Sequence, residues 1–103
     1  MKTFDAKLEG GTLTLTLFVS RLDAASASEF KKEIATIWKP EINTVFADLC
    51  NLEFIDSSGV GALLSLYKRL PPPNPSVKLL RTSPPVQAVL ELLRLHRIFE
   101  IEA

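Results

Sequence analysis

The feature that most constrains this chain is a serine pair placed between a strand-like run and a helix-like run. Residues 44–49 are β-rich and short, which is typical of a strand. Apolar residues from Val60 to Tyr67 then recur at the i, i+3, i+4 and i+7 spacing of one helical face. Ser57 and Ser58 therefore lie where the chain leaves a strand and begins a helix. Backbone N–H groups without partners and the helix dipole favour a hydroxyl cap or a phosphate at such a point.

The N-terminal part of the chain is predicted to form an antiparallel hairpin. Residues 4–8 have a weak strand pattern, and the Gly10-Gly11 pair after them is a turn signal. Leucines and threonines then alternate over residues 12–17, which gives a second strand one buried face. The short turn between the two runs favours direct pairing of these strands.

Helical and strand patterns alternate after this hairpin. Ser26 and Glu29 fit a capping box at the start of a first helix, which is expected to end near Pro40. The further elements expected are a strand at 44–49, a helix from the serine pair to about Leu70, a stiff extended proline connection at 70–75, a strand at 77–80, a helix after a Ser83 N-cap and Pro84, and a strand at 98–101. This order predicts an α/β fold: one mostly parallel sheet of four to five strands with an N-terminal antiparallel hairpin and flanking helices. The core positions predicted from these periodicities are Phe30, Ile34, Val45, Leu63, Leu64, Val89 and Leu90.

Length and charge exclude several functional classes. A chain of 103 residues is expected to form a single domain over residues 1–103. Its 12 basic and 12 acidic side chains cancel, and no basic cluster of the kind that binds nucleic acid is present. No apolar run approaches the ~20 residues of a membrane span, and the N-terminus lacks a signal-peptide pattern, so we expect a cytoplasmic protein without membrane insertion.

Neither a metal site nor a catalytic site is predicted. Cys50 is the only cysteine, so there is no disulfide framework and no cysteine pair for a metal, and we expect it to be a small buried apolar residue. His96, the only histidine, lies beyond the last predicted helix, away from the serine pair. The chain also lacks a Gly-x-Ser-x-Gly elbow and a glycine-rich phosphate loop. We therefore predict a protein that is not an enzyme and binds no cofactor.

A longer run around the serine pair covers residues 47–64 and includes Asp-Leu, an apolar stretch, Asp-Ser-Ser-Gly and a helix rich in small residues and leucine. This run resembles the signature of STAS domains in the bacterial anti-sigma-factor antagonist family. Leu22-Asp23 before the first helix and the last helix and strand, at 83–101, also resemble this family. The resemblance implies the STAS fold over nearly the whole chain.

The same resemblance implies a protein-binding module that is switched by phosphorylation and regulates transcription in the cytoplasm. In this family the unphosphorylated domain sequesters an anti-sigma factor, which is itself a serine kinase, and so frees a sigma factor. The kinase ends the interaction by phosphorylating the residue after the motif aspartate, and a phosphatase resets it. The acceptor is then Ser57, with Ser58 at the neighbouring cap position. The partner-binding residues implied are Asp56, Ser57, Ser58, Gly59, Arg21 and Asp23.

The turn before the first helix departs from the family pattern. Ser20-Arg21 stands where relatives often have Gly-Glu, so Arg21 reverses a charge on the partner-facing side.

A second hypothesis is that the chain is an accessory STAS subunit that docks on a transporter ATPase for lipids or anions, often without a phosphorylation cycle. The complete motif at 56–59 and the continuation at 66–69 favour the antagonist hypothesis.

Overall fold

The computed structural model describes residues 2–73 and 75–103. Its strands are β1 (Phe4–Glu9), β2 (Thr12–Leu17), β3 (Arg21–Leu22), β4 (Thr44–Asp48), β5 (Phe54–Ile55), β6 (Ser76–Leu80) and β7 (Glu100–Ile101). Its helices are α1 (Ala24–Ile37), α2 (Ser57–Arg69) and α3 (Pro84–Leu92), followed by a 3-10 turn at Leu95–Arg97.

The predicted hairpin and parallel sheet are both confirmed. Strand β1 pairs antiparallel with β2, and the turn between them uses the positive φ angles of Gly10 and Gly11, which glycine adopts without strain. The main sheet has the order β1-β2-β4-β6-β7, and every pair after the hairpin is parallel. Because parallel strands end at the same edge, Asp48 at the end of β4 lies beside Leu80 at the end of β6.

A second, two-stranded sheet was not expected from the sequence. Strands β3 and β5 have two residues each and pair in parallel, with Arg21 opposite Phe54 and Leu22 opposite Ile55. Such short runs carry no readable period-2 pattern, so only tertiary pairing reveals them. This ribbon leads directly into α1 on one strand and α2 on the other.

The start of α1 corrects the predicted capping box. The N-cap is Asp23, whose carboxylate accepts a hydrogen bond from the backbone N–H of Ser26, while the Ser26 hydroxyl accepts from the Asp23 N–H. Ser26 is therefore the third helical residue, and its pairing with Glu29 is wrong. An aspartate at N-cap satisfies the same donors as a serine, so the helix begins one turn earlier.

Most of the predicted core is confirmed. Phe30, Ile34, Val45, Leu63 and Leu90 are fully buried, and helices α1 and α2 pack against each other. Leu64 and Val89 are only half-buried, which corrects the prediction. The buried apolar positions of these helices are Val60, Ala62, Leu63 and Leu66 on α2, and Val86 and Leu90 on α3. Each buried face thus shares part of the stripe that spacing suggested but has a different centre, which is set by the neighbouring elements.

Two further expectations concern the loops. The proline connection predicted at 70–75 contains Asn74, which lies outside the described residues; Pro71 to Pro73 and Pro75 belong to neither a helix nor a strand. Cys50 is exposed, so its predicted burial is wrong.

Among the described residues, no helix has the length and apolar character needed to cross a membrane.

Candidate functional site

The β3–β5 ribbon brings two helix N-termini together. Each strand ends one residue before a helix cap, so Asp23 caps α1 and Asp56 caps α2 from neighbouring strands. The backbone N–H of Asp56 donates to the Leu22 carbonyl at 3.4 Å, which continues the pairing into the caps. The predicted partner-binding residues Asp23 and Asp56, far apart in sequence, are therefore on one surface.

The cap of α2 is Asp56, which corrects the predicted capping role of Ser58. One oxygen of the Asp56 carboxylate accepts from the N–H groups of Ser58 at 2.9 Å and Gly59 at 3.1 Å. The Asp56 carbonyl accepts from Val60 at 2.9 Å and so begins the helical ladder. Ser58 is the second helical residue and is exposed. The Ser58 backbone N–H is one of the helix-end donors that the Asp56 carboxylate satisfies, and the Ser58 hydroxyl is not the cap.

Ser57 is the first residue of α2 and is exposed. None of the side-chain hydrogen bonds within residues 2–73 and 75–103 involves its hydroxyl. The Asp56 carboxylate already occupies two of the N–H groups that the sequence offered to a phosphate. A phosphate on Ser57 would therefore share the helix end with a carboxylate, and repulsion between the two anions keeps the phosphate outward, in solvent or against a partner.

Gly59 sets how closely α2 approaches the ribbon. A Cβ atom at this position would overlap the Leu22 carbonyl oxygen and lie 2.7 Å from Cγ1 of Ile55. Because the first obstacle is backbone, it cannot be removed by a change of rotamer. Only glycine permits this close approach, which fixes the serine pair relative to Arg21 and Asp23.

Arg21 is held over an exposed aromatic ring beside the motif. Its guanidinium carbon lies 3.9 Å from the centroid of the Phe54 ring, and its Nε lies 3.7 Å from the Asp23 carboxylate. A cation–π contact and an ion pair together limit the rotamers of this long side chain. Arg21 is therefore a positioned positive charge on the surface that carries Asp56 and Ser57. Phe54 was not predicted; the only available signal was an aromatic residue two positions before the motif aspartate.

The segment that leads into the motif is tied to three other parts of the fold. The Asn51 side-chain amide donates to the Leu17 carbonyl at 2.9 Å, and the Ser83 hydroxyl donates to the Leu52 carbonyl at 3.0 Å. The Glu53 N–H donates to the Ser20 carbonyl at 2.8 Å. Ser83 is the N-cap of α3 as predicted, but its hydroxyl makes no cap hydrogen bond and holds this segment instead.

An ion pair joins the ends of β4 and β6. Arg81 forms a forked ion pair with Asp48, with Nε 3.0 Å from Oδ2 and 3.1 Å from Oδ1. The Asp48 carboxylate also accepts from the Cys50 N–H at 3.0 Å. Hydrogen bonds from Arg81, with a smaller contribution from Cys50, hold the pKa of Asp48 below its usual value. Asp48 is thus ionised at neutral pH and anchors the start of the segment that leads to the motif.

Within the described residues, the serine pair has no histidine partner of the kind that a hydrolytic serine needs. His96 is exposed on the 3-10 turn, where it lines a groove with Glu91 and Glu100, and no hydrogen bond within the described part of the chain joins it to Ser57. No cluster of three or more possible metal-ligating side chains is found within residues 2–73 and 75–103. What the site offers is an exposed hydroxyl, a positioned cation and two capped helix ends.

The family-model comparison matches the STAS domain over residues 3–103. The chain therefore belongs to the STAS domain family, and the resemblance drawn from its sequence is confirmed. The observed α/β topology, with its hairpin and mostly parallel five-stranded sheet, is the STAS fold.

Solved structures similar to this chain include anti-sigma-factor antagonists. The antagonist SpoIIAA in its unphosphorylated form is 26% identical with a TM-score of 0.78, over 97% of this chain and 88% of that chain. The Bacillus cell-fate determinant SpoIIAA in its phosphorylated form is 25% identical with a TM-score of 0.70, over 97% of this chain and 91% of that chain. An anti-sigma-factor antagonist (STAS) domain protein from Planctomyces limnophilus, 21% identical with a TM-score of 0.80 over 100% of this chain and 91% of that chain, shares the fold.

Replacing Gly59 with alanine is expected to destabilise the domain, whereas Gly61→Ala provides a matched control on the same helix. The Gly59 Cβ would meet the Leu22 backbone, but nothing lies within 4 Å of a Cβ at Gly61. Gly59→Ala should lower the free energy of unfolding by about 1–3 kcal/mol, as overpacking does. Gly61→Ala should raise it by up to about 1 kcal/mol through helix propensity. Urea unfolding of both variants measures this, and equal effects would contradict the close approach at Gly59.

Acid is expected to weaken the fold partly through Asp48. Because the folded-state pKa of Asp48 is below its unfolded value of about 3.9, its ionised form stabilises the protein above that value. This contribution is lost as the pH falls through the folded pKa. Asp48→Asn should therefore lower stability near pH 7 and flatten the decline between about pH 5 and pH 2. Urea midpoints across that range measure it. Glu9→Gln, in an exposed pair with Lys7, is the control and should change little.

Proposed function

We propose that this chain is an anti-sigma-factor antagonist that regulates transcription as a single non-enzymatic STAS unit. In this proposal the surface at the start of α2 binds an anti-sigma factor that is also a serine kinase. The kinase then transfers the terminal phosphoryl group of ATP to the Ser57 hydroxyl, with release of ADP and a proton, and the complex dissociates. A phosphatase hydrolyses the phosphoserine and restores binding.

The observation that carries this proposal is the exposed Ser57 at the first position of a helix that is already capped. The hydroxyl is accessible to a kinase, and its modification breaks no hydrogen bond among the described side chains. The domain itself therefore tolerates the new charge. A partner docked over Ser57 would have to desolvate about two negative charges beside the Asp56 carboxylate, which costs several kcal/mol without cationic partners.

Similarity to known proteins supports the same role. The phosphorylated and unphosphorylated forms of SpoIIAA are both similar to this chain at 25% and 26% identity. Three residues of the motif, Asp56, Ser57 and Ser58, lie beside Arg21 and Asp23 on a ribbon-and-helix surface that is exposed or partly exposed. The transporter-subunit hypothesis uses the same surface without phosphorylation, so kinase modification distinguishes the two.

Ser57→Ala should keep partner binding and escape phosphorylation, whereas Ser58→Ala should keep both. Phosphorylation of the wild-type chain should weaken the complex about a hundredfold or more, because the added charge is desolvated at the interface. The melting temperature of the phosphorylated domain should change by less than about 4 °C, which is the shift produced by roughly 1 kcal/mol in a domain of this size.

The measurement is mass spectrometry after incubation with the kinase and ATP, followed by calorimetric titration of each form. Phosphate on Ser58 alone would overturn the assignment of the acceptor. Absence of phosphate from both serines, with retained docking on a transporter ATPase, would replace the antagonist proposal with the transporter-subunit one.

Arg21 is expected to select the partner by charge. Since its guanidinium is fixed over Phe54 beside the motif, Arg21→Glu should slow association about tenfold at low salt, and the difference should shrink at high salt. Arg21→Lys is the matched control, because it keeps the charge and should keep most of the association rate. Stopped-flow kinetics at two ionic strengths measure both variants. Identical rates for the glutamate variant and the wild type at both salts would remove Arg21 from the interface.

A further inference from the structure

Strand β1 forms an edge of the main sheet, with β2 on one side and, among the described residues, no strand on the other. It is 6 residues long and contains no proline, and its pairing with β2 is continuous from Phe4 to Glu9. The Thr3 backbone N–H and hydroxyl both donate to the Glu33 carboxylate on α1, at 2.8 Å and 2.6 Å, and so fix the start of the strand. A regular edge of this length can pair with a further strand.

The backbone groups that this edge leaves free follow from its register with β2. The Phe18 N–H donates to the Thr3 carbonyl at 2.8 Å, and hydrogen-bonded pairs alternate with non-bonded pairs along an antiparallel ladder. The residues whose backbone bonds to β2 are therefore Asp5, Lys7 and Glu9. The residues whose N–H and carbonyl groups point out of the edge are Phe4, Ala6 and Leu8. No turn, loop or side-chain hydrogen bond within residues 2–73 and 75–103 satisfies these outward groups.

The charged side chains of β1 select one register for pairing with a copy of itself. In an antiparallel pair, outward-pointing residues must face each other, and only the register centred on Ala6 pairs all three of them. This register places Asp5 of each copy opposite Lys7 of the other, and both side chains are exposed. A shift by one hydrogen-bonded step in either direction would place Asp5 opposite Asp5 or Lys7 opposite Lys7, which is unfavourable. The complementarity is therefore a property of one specific register.

We propose that β1 pairs antiparallel with β1 of a second copy of this chain, which joins the two main sheets into one continuous sheet. The arrangement is two-fold symmetric, so each Asp5–Lys7 pair occurs twice. Lys7 already lies 2.9 Å from Glu9 of its own strand, and its ammonium group has three donors, so it can bond to both carboxylates. One pair of short strands covers less than the ~800 Å² per partner of a stable interface, so the dimer is weak and depends on protein concentration.

A crevice beside the edge fits the apolar side chains that this pairing brings in. It has a volume of about 240 Å³, lies between β1 and α1, and is lined by Lys2, Phe4, Ala6, Glu33, Thr36 and Ile37. Ala6 is exposed and Leu8 is half-buried, so α1 leaves this side of β1 partly uncovered. In the proposed register Leu8 of the second copy lies opposite Phe4 at the crevice, and the two small Ala6 side chains meet at the two-fold axis. Strand addition gains specificity from pockets for alternate side chains.

This pairing is separate from the candidate docking surface. The candidate partner-binding residues lie in β3, in the two helix caps and in the first turn of α2, and none belongs to β1. Self-association therefore requires neither Ser57 nor a kinase, and it goes beyond the proposed antagonist function.

A charge swap tests both the dimer and its register in the full chain. Asp5→Lys alone and Lys7→Asp alone each place like charges opposite one another and should weaken the dimer about tenfold or more. The chain with both substitutions again has opposite charges in the same register and should dimerise like the wild type. A mixture of the two single variants should form a heterodimer. Lys68→Asp, at an exposed lysine on α2, is the matched control and should leave the dimer unchanged.

Sedimentation equilibrium over a range of concentrations gives the masses, with the 11.4 kDa monomer as reference. Hydrogen exchange followed by NMR identifies the paired edge: the amides of residues 4, 6 and 8 should become protected as the concentration rises, whereas those of residues 5, 7 and 9 should be protected throughout. Ala6→Pro removes an outward N–H and should abolish the dimer while β1 stays paired with β2. Circular dichroism checks that each variant is folded.

A wild-type chain that stays monomeric at about 1 mM would overturn the proposal. A double variant as weak as the single variants would also overturn it, because the charges would then not be opposite one another. Protection of the outward amides only after a different protein is added would assign the edge to a foreign strand and exclude the self-pairing.

Discussion

The candidate functional surface depends on the close contact between the first turn of α2 and the backbone of β3. The Leu22 carbonyl accepts from the Asp56 N–H and stands directly against Gly59. This contact sets the distance between two chain segments more than thirty residues apart, and it joins two capped helix ends into one surface. A larger residue at 59 would move the serine pair away from Arg21, so the glycine in the motif is an architectural requirement.

Much of this fold could be predicted from the sequence because apolar periodicity reports burial. The hairpin, the strand before the motif and the three helices were all readable in that way. The β3–β5 ribbon was not, since two residues cannot show a period. The exposure of Cys50 was also missed, because its backbone N–H bonds to Asp48 and turns the chain outward immediately after the buried Leu49. Single-residue burial in a loop depends on such tertiary contacts.

The helix caps show a different limit of sequence reasoning. Asp, Ser and Asn are almost equally good caps, so a run such as Asp56-Ser57-Ser58 leaves the cap ambiguous between neighbours. The ambiguity is resolved by the ribbon, which ends at Ile55 and leaves Asp56 in an extended conformation suited to the N-cap. The same resolution places Ser57 one residue inside the helix. Its hydroxyl is therefore free of a structural role among the described hydrogen bonds.

Asp56 caps the helix and Ser57 carries the free hydroxyl. This difference determines whether a phosphate on Ser57 would change the stability of the fold or the stability of a complex. A cap contributes about 1 kcal/mol, and a phosphate that displaced the Asp56 carboxylate would exchange one anion for another at the same N–H groups. The folded state would then gain or lose little in either arrangement. The repulsion between the two anions is relieved by solvent in the free domain, but a docked partner removes that solvent. In the proposed function, the energetic cost of a phosphate on Ser57 would therefore fall on the complex and not on the fold, as a reversible binding switch requires.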